Sequence, residues 1–174
     1  MKGLWIGLIV VITNVAKSQG VSEKKDSVTI KIEANNQVLD SIICFGKSFI
    51  GLKYKYGGYS TSGFDCSGFL KFIFNKYGLA LPKDSRSYAE FGEKIDSVDI
   101  QEIKKGDIML FKGSNLKSKR IGHVSLVIDV NENEVLMLHS CRRGVIIDNY
   151  LDSDYYLKRF VGIRRIGLSN LASR

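Results

Sequence analysis

At 174 residues the chain has room for one domain with a substantial core and not for two ordinary ones. An apolar fraction of 44%, a charged fraction of 25% and a single proline, Pro82, exclude a disordered or collagen-like chain. The formal charge of +8 favours anionic surroundings; nucleic acid is one usual partner of so basic a chain, but no recognisable nucleic-acid motif is present.

The N-terminus reads as a targeting segment. Lys2 supplies a positive start, Leu4 to Val15 is an almost unbroken apolar run, and Ala16-Lys17-Ser18 offers small residues for cleavage near Ser18. This is the layout of a secretory signal peptide over residues 1–18, and the apolar run is short for a bilayer span. The expectation is therefore an exported protein, periplasmic or associated with the cell exterior, with no stable membrane span after cleavage. An uncleaved N-terminal anchor is the competing reading. No cysteine follows the run to carry a lipid anchor. Loss of Lys2 and Lys17 lowers the charge balance from +8 to +6.

Residues 19–36 read as a lead-in: Gln19 to Asp26 is polar and flexible in character, and Val28-Thr29-Ile30-Lys31-Ile32 alternates in the manner of a short strand. Asn35-Asn36 offers a helix cap, and Val38, Leu39, Ile42, Ile43, Phe45, Phe49 and Ile50 follow at helical spacing to a stop at Gly51. Residues 54–63 form a glycine-rich loop. A second helix is expected from Cys66 to Tyr77, and a shorter one from Lys83 to Glu93 capped by Asp84 or Ser85. Beyond it the pattern turns to β: residues 107–111, 123–130, 135–139, 144–148 and 160–166 make about five strands, with Asn131-Glu132-Asn133 as a hairpin turn. N-terminal helices packed on an antiparallel sheet define an α+β domain over residues 37–168, leaving 169–174 as a tail. The hairpin makes the His123 and His139 strands neighbours, although pairing register decides whether the two rings share a face.

Cys66 sits at a glycine-flanked turn, Gly63-Phe64-Asp65-Cys66-Ser67-Gly68, immediately before the apolar helix. A helix N-terminus supplies unpaired N–H groups and partial positive charge, both of which favour a thiolate. The chain has two histidines, His123 and His139, each on a strand. A cysteine hydrolase needs a base for its thiol and a group that orients that base. His123, preceded by the small Gly122, suits the first role by forming a thiolate–imidazolium pair, and His139 the second. The Cys66 N–H is a natural oxyanion donor, with the Tyr54 hydroxyl beside it. Zinc binding by Cys66, His123 and His139 is a rival that lacks a fourth ligand. With Cys66 at work, Cys44 and Cys141 remain free or pair with each other. Lys119-Arg120 and Arg142-Arg143, near the histidines in sequence, meet substrate carboxylates or simply solvate loops; Tyr59 and Phe64 line a groove or join the core.

The blocks Tyr54-Lys55-Tyr56-Gly57-Gly58, Gly63 to Phe69, Leu81-Pro82, Lys105-Gly106-Asp107-Ile108, Gly122-His123-Val124-Ser125-Leu126 and His139-Ser140 resemble, in order, the NlpC family of cell-wall cysteine peptidases. The resemblance implies a papain-like core and a Cys–His–His triad at Cys66, His123 and His139, with no metal or organic cofactor. It also implies peptidoglycan stem peptides as substrate, cut between γ-D-glutamyl and a diamino acid. It places Tyr54 near the nucleophile and gives Asp65 and Ser67 to the substrate, while a helix cap is the other reading of Asp65. Tyr56 departs from the tryptophan common there, and the stretch before Cys66 is too short for a separate wall-binding domain. An amidase or acyltransferase on the same core, and a catalytically idle wall-binding module, are the rival readings.

Overall fold

The computed structural model describes residues 19–95 and 99–167; the expected signal peptide (1–18) and the C-terminal tail (169–174) lie outside them. Helix α1 spans Gln19–Lys47 and absorbs the expected strand at 28–32 and the Asn35-Asn36 cap. The physical reason is visible in burial: Val28, Ile30 and Ile32 are all more than half exposed, so their alternation faces no neighbouring strand. Lys31, Glu33 and Ala34, among the stronger helix formers, lie in the same stretch. The C-terminal part of α1 carries the apolar stripe, with Leu39, Ile42 and Ile43 buried. Tyr77 Oη donates to Ser41 O at 3.0 Å, and Lys105 pairs with Asp40.

The loop that follows folds into a two-stranded antiparallel ribbon, β1 (Tyr59–Ser60) and β2 (Gly63–Phe64). Helix α2, Cys66–Asn75, starts directly after it. Phe64 is fully buried and packs on Phe69 and Phe72, with ring centroids 5.5 and 5.0 Å apart. Asp84 caps a 3-10 turn over Ser85–Glu90 by accepting from Arg86 N and Ser87 N. The helix expected over residues 83–93 thus shrinks to this turn, and its last residue opens strand β3, Glu93–Ile95.

The remaining strands are β4 (Ile108–Lys112), β5 (Ile121–Val130), β6 (Val135–Cys141), β7 (Gly144–Asn149) and β8 (Phe160–Arg165), with a short helix α3 (Asp154–Leu157) before the last. With β3 they form a six-stranded antiparallel sheet in the order β3-β8-β4-β5-β6-β7. The α+β architecture expected from the sequence is borne out, with six strands in the main sheet where five were counted. One face, carrying Ile108, Leu110, Val124, Leu126 and Leu138, packs on α1 and α2. The other, carrying Met109, Phe111, Val127 and Met137, is covered by Tyr150 and Tyr156. Arg165 binds the buried Asp107 carboxylate through two hydrogen bonds, 2.8 and 2.9 Å, and so locks β8 to the turn before β4.

Register settles the question of the two histidines. Next to the hairpin turn, Val130 pairs with Val135 and Asp129 with Leu136; beyond a bulge, Val127 pairs with Met137 and Leu126 with Leu138. The one-residue shift exchanges which side chains of β5 and β6 lie together. Without it His139 would share a face with Leu126; with it, His139 shares the face of Val127 and His123.

The ribbon and the first turn of α2 meet through glycine. A Cβ on Gly68 would lie 2.1 Å from Gly58 O and 3.0 Å from Asp65 Oδ1, and the first of these is backbone that cannot swing aside. Gly68→Ala is therefore expected to lower stability by about 1–3 kcal/mol, measured by chemical denaturation, with a parallel loss of Cys66 reactivity.

Candidate active site

Cys66 is the first residue of α2 and only 7% exposed. Asp65 builds the turn that places it. Its Oδ1 accepts from Gly68 N at 2.6 Å, capping the helix, and its Oδ2 accepts from Gly57 N at 3.0 Å, tying the ribbon loop to the same point. Ser67, also buried, donates from Oγ toward Asp65 Oδ1 and Lys83 O, both at 3.1 Å. Asp65 and Ser67 are thus engaged in holding the nucleophile's turn. From the sheet side, Ser140 Oγ donates to Phe64 O at 2.8 Å, fastening β6 to the residue two before Cys66.

On strands β5 and β6, His123 Nε2 lies 3.0 Å from His139 Nδ1, and His139 Nε2 lies 3.1 Å from Asp148 Oδ2. Arg143 Nη2 donates to the same Asp148 oxygen at 2.5 Å. The chain of bonds assigns the protons. A carboxylate only accepts, so His139 carries its proton on Nε2 and presents Nδ1 as an acceptor. His123 must then donate from Nε2, which leaves its Nδ1 lone pair free. His123 lies between Phe111 and Tyr156, with ring centroids 5.9 and 5.7 Å away. Tyr156 also meets His139 edge-on at 5.3 Å. Gly122 permits the β4–β5 strands to close here, since a Cβ on it would fall 2.4 Å from Gly113 Cα.

The electrostatics follow from burial. Burial pushes the Cys66 thiol up to about 11; backbone hydrogen bonds from Val124, Ser67 and Cys66 itself pull the other way, while the Asp65 charge adds to the rise. Burial and then the neighbouring His139 hold the His123 imidazole well below its ordinary value, against an opposing pull from Asp148. Burial thus acts on both groups toward their uncharged forms. Asp148 is held below the usual carboxylate range, first by its hydrogen bond from His139 and then by Arg143, despite partial burial. It is ionised throughout the neutral range.

Tyr54 lines a cleft of about 910 Å³ that also includes His123, Tyr156 and Arg142. Burial and the Cys66 charge raise its pKa, so its hydroxyl keeps its proton and can donate. Phe64 and Tyr59 lie elsewhere, the first in the core and the second edge-on to Phe72. Lys119 and Arg120 are exposed and outside the cleft lining, whereas Arg142 and Arg143 are part of it. Cys44 and Cys141 are unpaired. Among the described residues no three His, Cys, Asp or Glu side chains are grouped to hold a metal ion. None of the helices described is long and apolar enough to cross a membrane.

Sequence reasoning missed Asp148, although its signal was present. Cys141 pairs with Gly144 across the Arg142-Arg143 turn, so Met137 faces Asp148 and His139 faces Ile146. Counting back from that two-residue turn puts Asp148 on the His139 face, one diagonal step away. Tyr88 was missed too: it is fully buried in the cluster containing Cys66, and its hydroxyl has no hydrogen-bond partner among the described residues.

Known proteins share both this sequence pattern and this fold. The model of the NlpC/P60 family matches residues 51–165. The chain belongs to the NlpC/P60 family. It is 32% identical over 142 residues to the γ-D-glutamyl-L-lysine dipeptidyl-peptidase of Bacillus subtilis, covering 81% of this chain and 45% of that protein. It is 30% identical to the probable endopeptidase NlpC of Escherichia coli, covering 81% of each. A crystal structure of an NlpC/P60 family protein from Bacillus cereus superposes with a TM-score of 0.62 at 32% identity, over 73% of this chain and 39% of that one. The chain thus spans less than half the length of these Bacillus proteins.

Two outcomes are expected. Iodoacetamide modification of the Cys66 peptide, followed by mass spectrometry, should accelerate roughly tenfold per pH unit above about pH 7 and level off only near the raised thiol pKa. A rate already level below pH 7 would mean a preformed ion pair. Asp148→Asn, which lets His139 adopt the other tautomer, should reduce turnover by about 10–100-fold while the far-ultraviolet spectrum stays unchanged.

Proposed function

We propose that this protein is an exported cysteine endopeptidase that hydrolyses peptidoglycan stem peptides between γ-D-glutamyl and the diamino acid. The observation that carries the reading is the hydrogen-bonded His123–His139–Asp148 series, which leaves one imidazole lone pair free on β5, the strand whose Val124 backbone hydrogen-bonds Cys66. The B. subtilis relative named for γ-D-glutamyl-L-lysine supports the choice of bond. Export rests on the N-terminal apolar run after Lys2. Residues 37–168 would be the catalytic domain, and 19–36 its lead-in.

In this mechanism the Cys66 thiol gives its proton to His123 Nδ1 as sulfur attacks the amide carbonyl. The His123 imidazolium forms beside His139, whose own N–H is held by ionised Asp148, so the new charge is stabilised through that series. The Cys66 N–H and the Tyr54 hydroxyl receive the developing oxyanion. Collapse of the tetrahedral species breaks the C–N bond, and His123 returns its proton to the departing amine. The γ-glutamyl group stays on sulfur as a thioester. Water, deprotonated by His123, then releases the acid and restores the thiol.

Purified muropeptides incubated with the mature protein, beside a Cys66→Ala control, provide the test. Mass spectrometry should show fragments split between D-glutamate and the diamino acid with the wild type only. Transfer of the acyl group to an added amine in place of hydrolysis would establish the acyltransferase reading. Retention on wall material without fragments, together with a Cys66 thiol inert to alkylation, would establish the binding module.

A further inference from the structure

The cleft beside His123 has a one-sided charge. Lys112, Arg142, Arg143 and Arg159 line it, and no Asp or Glu is among its described lining residues. Two of the four are committed elsewhere: Arg143 to Asp148, and Lys112 through Nζ to Leu116 O at 3.0 Å. Arg142 is exposed and has no ion pair among the described residues, and its charge reaches Tyr54. Arg159 is built into place. Its guanidinium carbon lies 3.7 Å from the centre of the Tyr155 ring, and Nη1 donates to Tyr155 O at 3.1 Å. Its Nε is buried with no hydrogen-bond partner among the described residues. A stacked, tethered guanidinium loses little freedom on binding and presents its remaining N–H groups in a fixed plane. Such a plane matches a carboxylate, and the charges of Arg142 and Arg159, neither in an ion pair among the described residues, repel an ammonium.

We propose that Arg142 and Arg159 form a carboxylate subsite of this cleft. The subsite selects stem peptides whose diamino acid carries a carboxylate at its distal end, as in diaminopimelate, over those ending in the bare ammonium of lysine. The inference rests on the peptidase reading for its substrate and extends it to which diamino acid is accepted. The guanidinium of Arg159 supplies the oriented contact; Arg142 adds charge near the oxyanion position.

The test separates binding from turnover. Full-length Cys66→Ala protein is titrated calorimetrically with L-Ala-γ-D-Glu-diaminopimelate and with L-Ala-γ-D-Glu-L-Lys, at low and high salt. The diaminopimelate peptide should bind about tenfold more tightly at low salt, with the gap narrowing as salt screens the charges. Arg159→Gln in the same background should remove most of the preference, and Arg142→Gln, at an exposed position that leaves the fold intact, should reduce it several-fold. Equal binding, a preference for the lysine peptide, or a preference untouched by both substitutions overturns the subsite. Discrimination by the Cys66→Ala protein without any cleavage by the wild type would instead sink the peptidase reading and leave the subsite standing. Cleavage of both peptides with no discrimination would do the reverse.

Discussion

The hydrogen bond from His123 Nε2 to His139 Nδ1 is the constraint on which the rest of the site depends. It exists because the bulge near Ile128 shifts the pairing of β5 and β6 by one residue and turns His139 onto the face of His123. Once made, it fixes the chemistry of both rings. His139 can accept there only while its other nitrogen donates, and Asp148 guarantees that it does. The next residue along β6 points to the other side of the sheet, where Ser140 grips the carbonyl of Phe64. Two consecutive residues of one strand therefore hold both the histidine series and the loop that carries Cys66.

Much of this arrangement could be read from the chain. Asp65-Cys66 followed by Phe69, Ile73 and Phe74 announces a capped helix with its thiol at the positive end, and the helix is there. The β half was visible because its strands alternate strongly and its turns carry Asn, Gly and charge. What escaped the reading was what depends on partners. The exposed alternation at Val28–Ile32 looked like a strand because nothing local says whether a neighbour will bury it; none does, and the stretch runs on as helix. The face shared by the two histidines hangs on a bulge, which has no composition signal of its own. Asp148 could have been found by parity from the Arg142-Arg143 turn, whereas the orphan hydroxyl of Tyr88 only acquires meaning once the 3-10 turn is packed beside Cys66.

The turn-holding bonds of Asp65 and Ser67, found beside the substrate contacts that the resemblance implies, illustrate the same limit. A motif locates residues but not the direction of their hydrogen bonds. In the folded chain Asp65 accepts from Gly57, Gly68 and Ser67, and Ser67 also reaches Lys83 O. These bonds use both carboxylate oxygens to hold the turn. The cost of misplacing them would fall on the nucleophile, because the Gly58–Gly68 contact leaves the turn no slack.

The burial of Cys66 and His123 has a consequence beyond geometry. A thiol raised to about 11 is almost wholly protonated at neutral pH, and a neutral thiol is a poor target for oxidants and for disulfide exchange. For a nucleophile that we propose works outside the reducing cytoplasm, an ion pair formed in advance would be a standing liability. The site instead keeps both partners neutral and supplies what the charged state needs only along the reaction: N–H groups aimed at sulfur, and a histidine backed by an ionised carboxylate. In the proposed mechanism, stabilisation is thus reserved for charge as it develops rather than spent on the resting thiol.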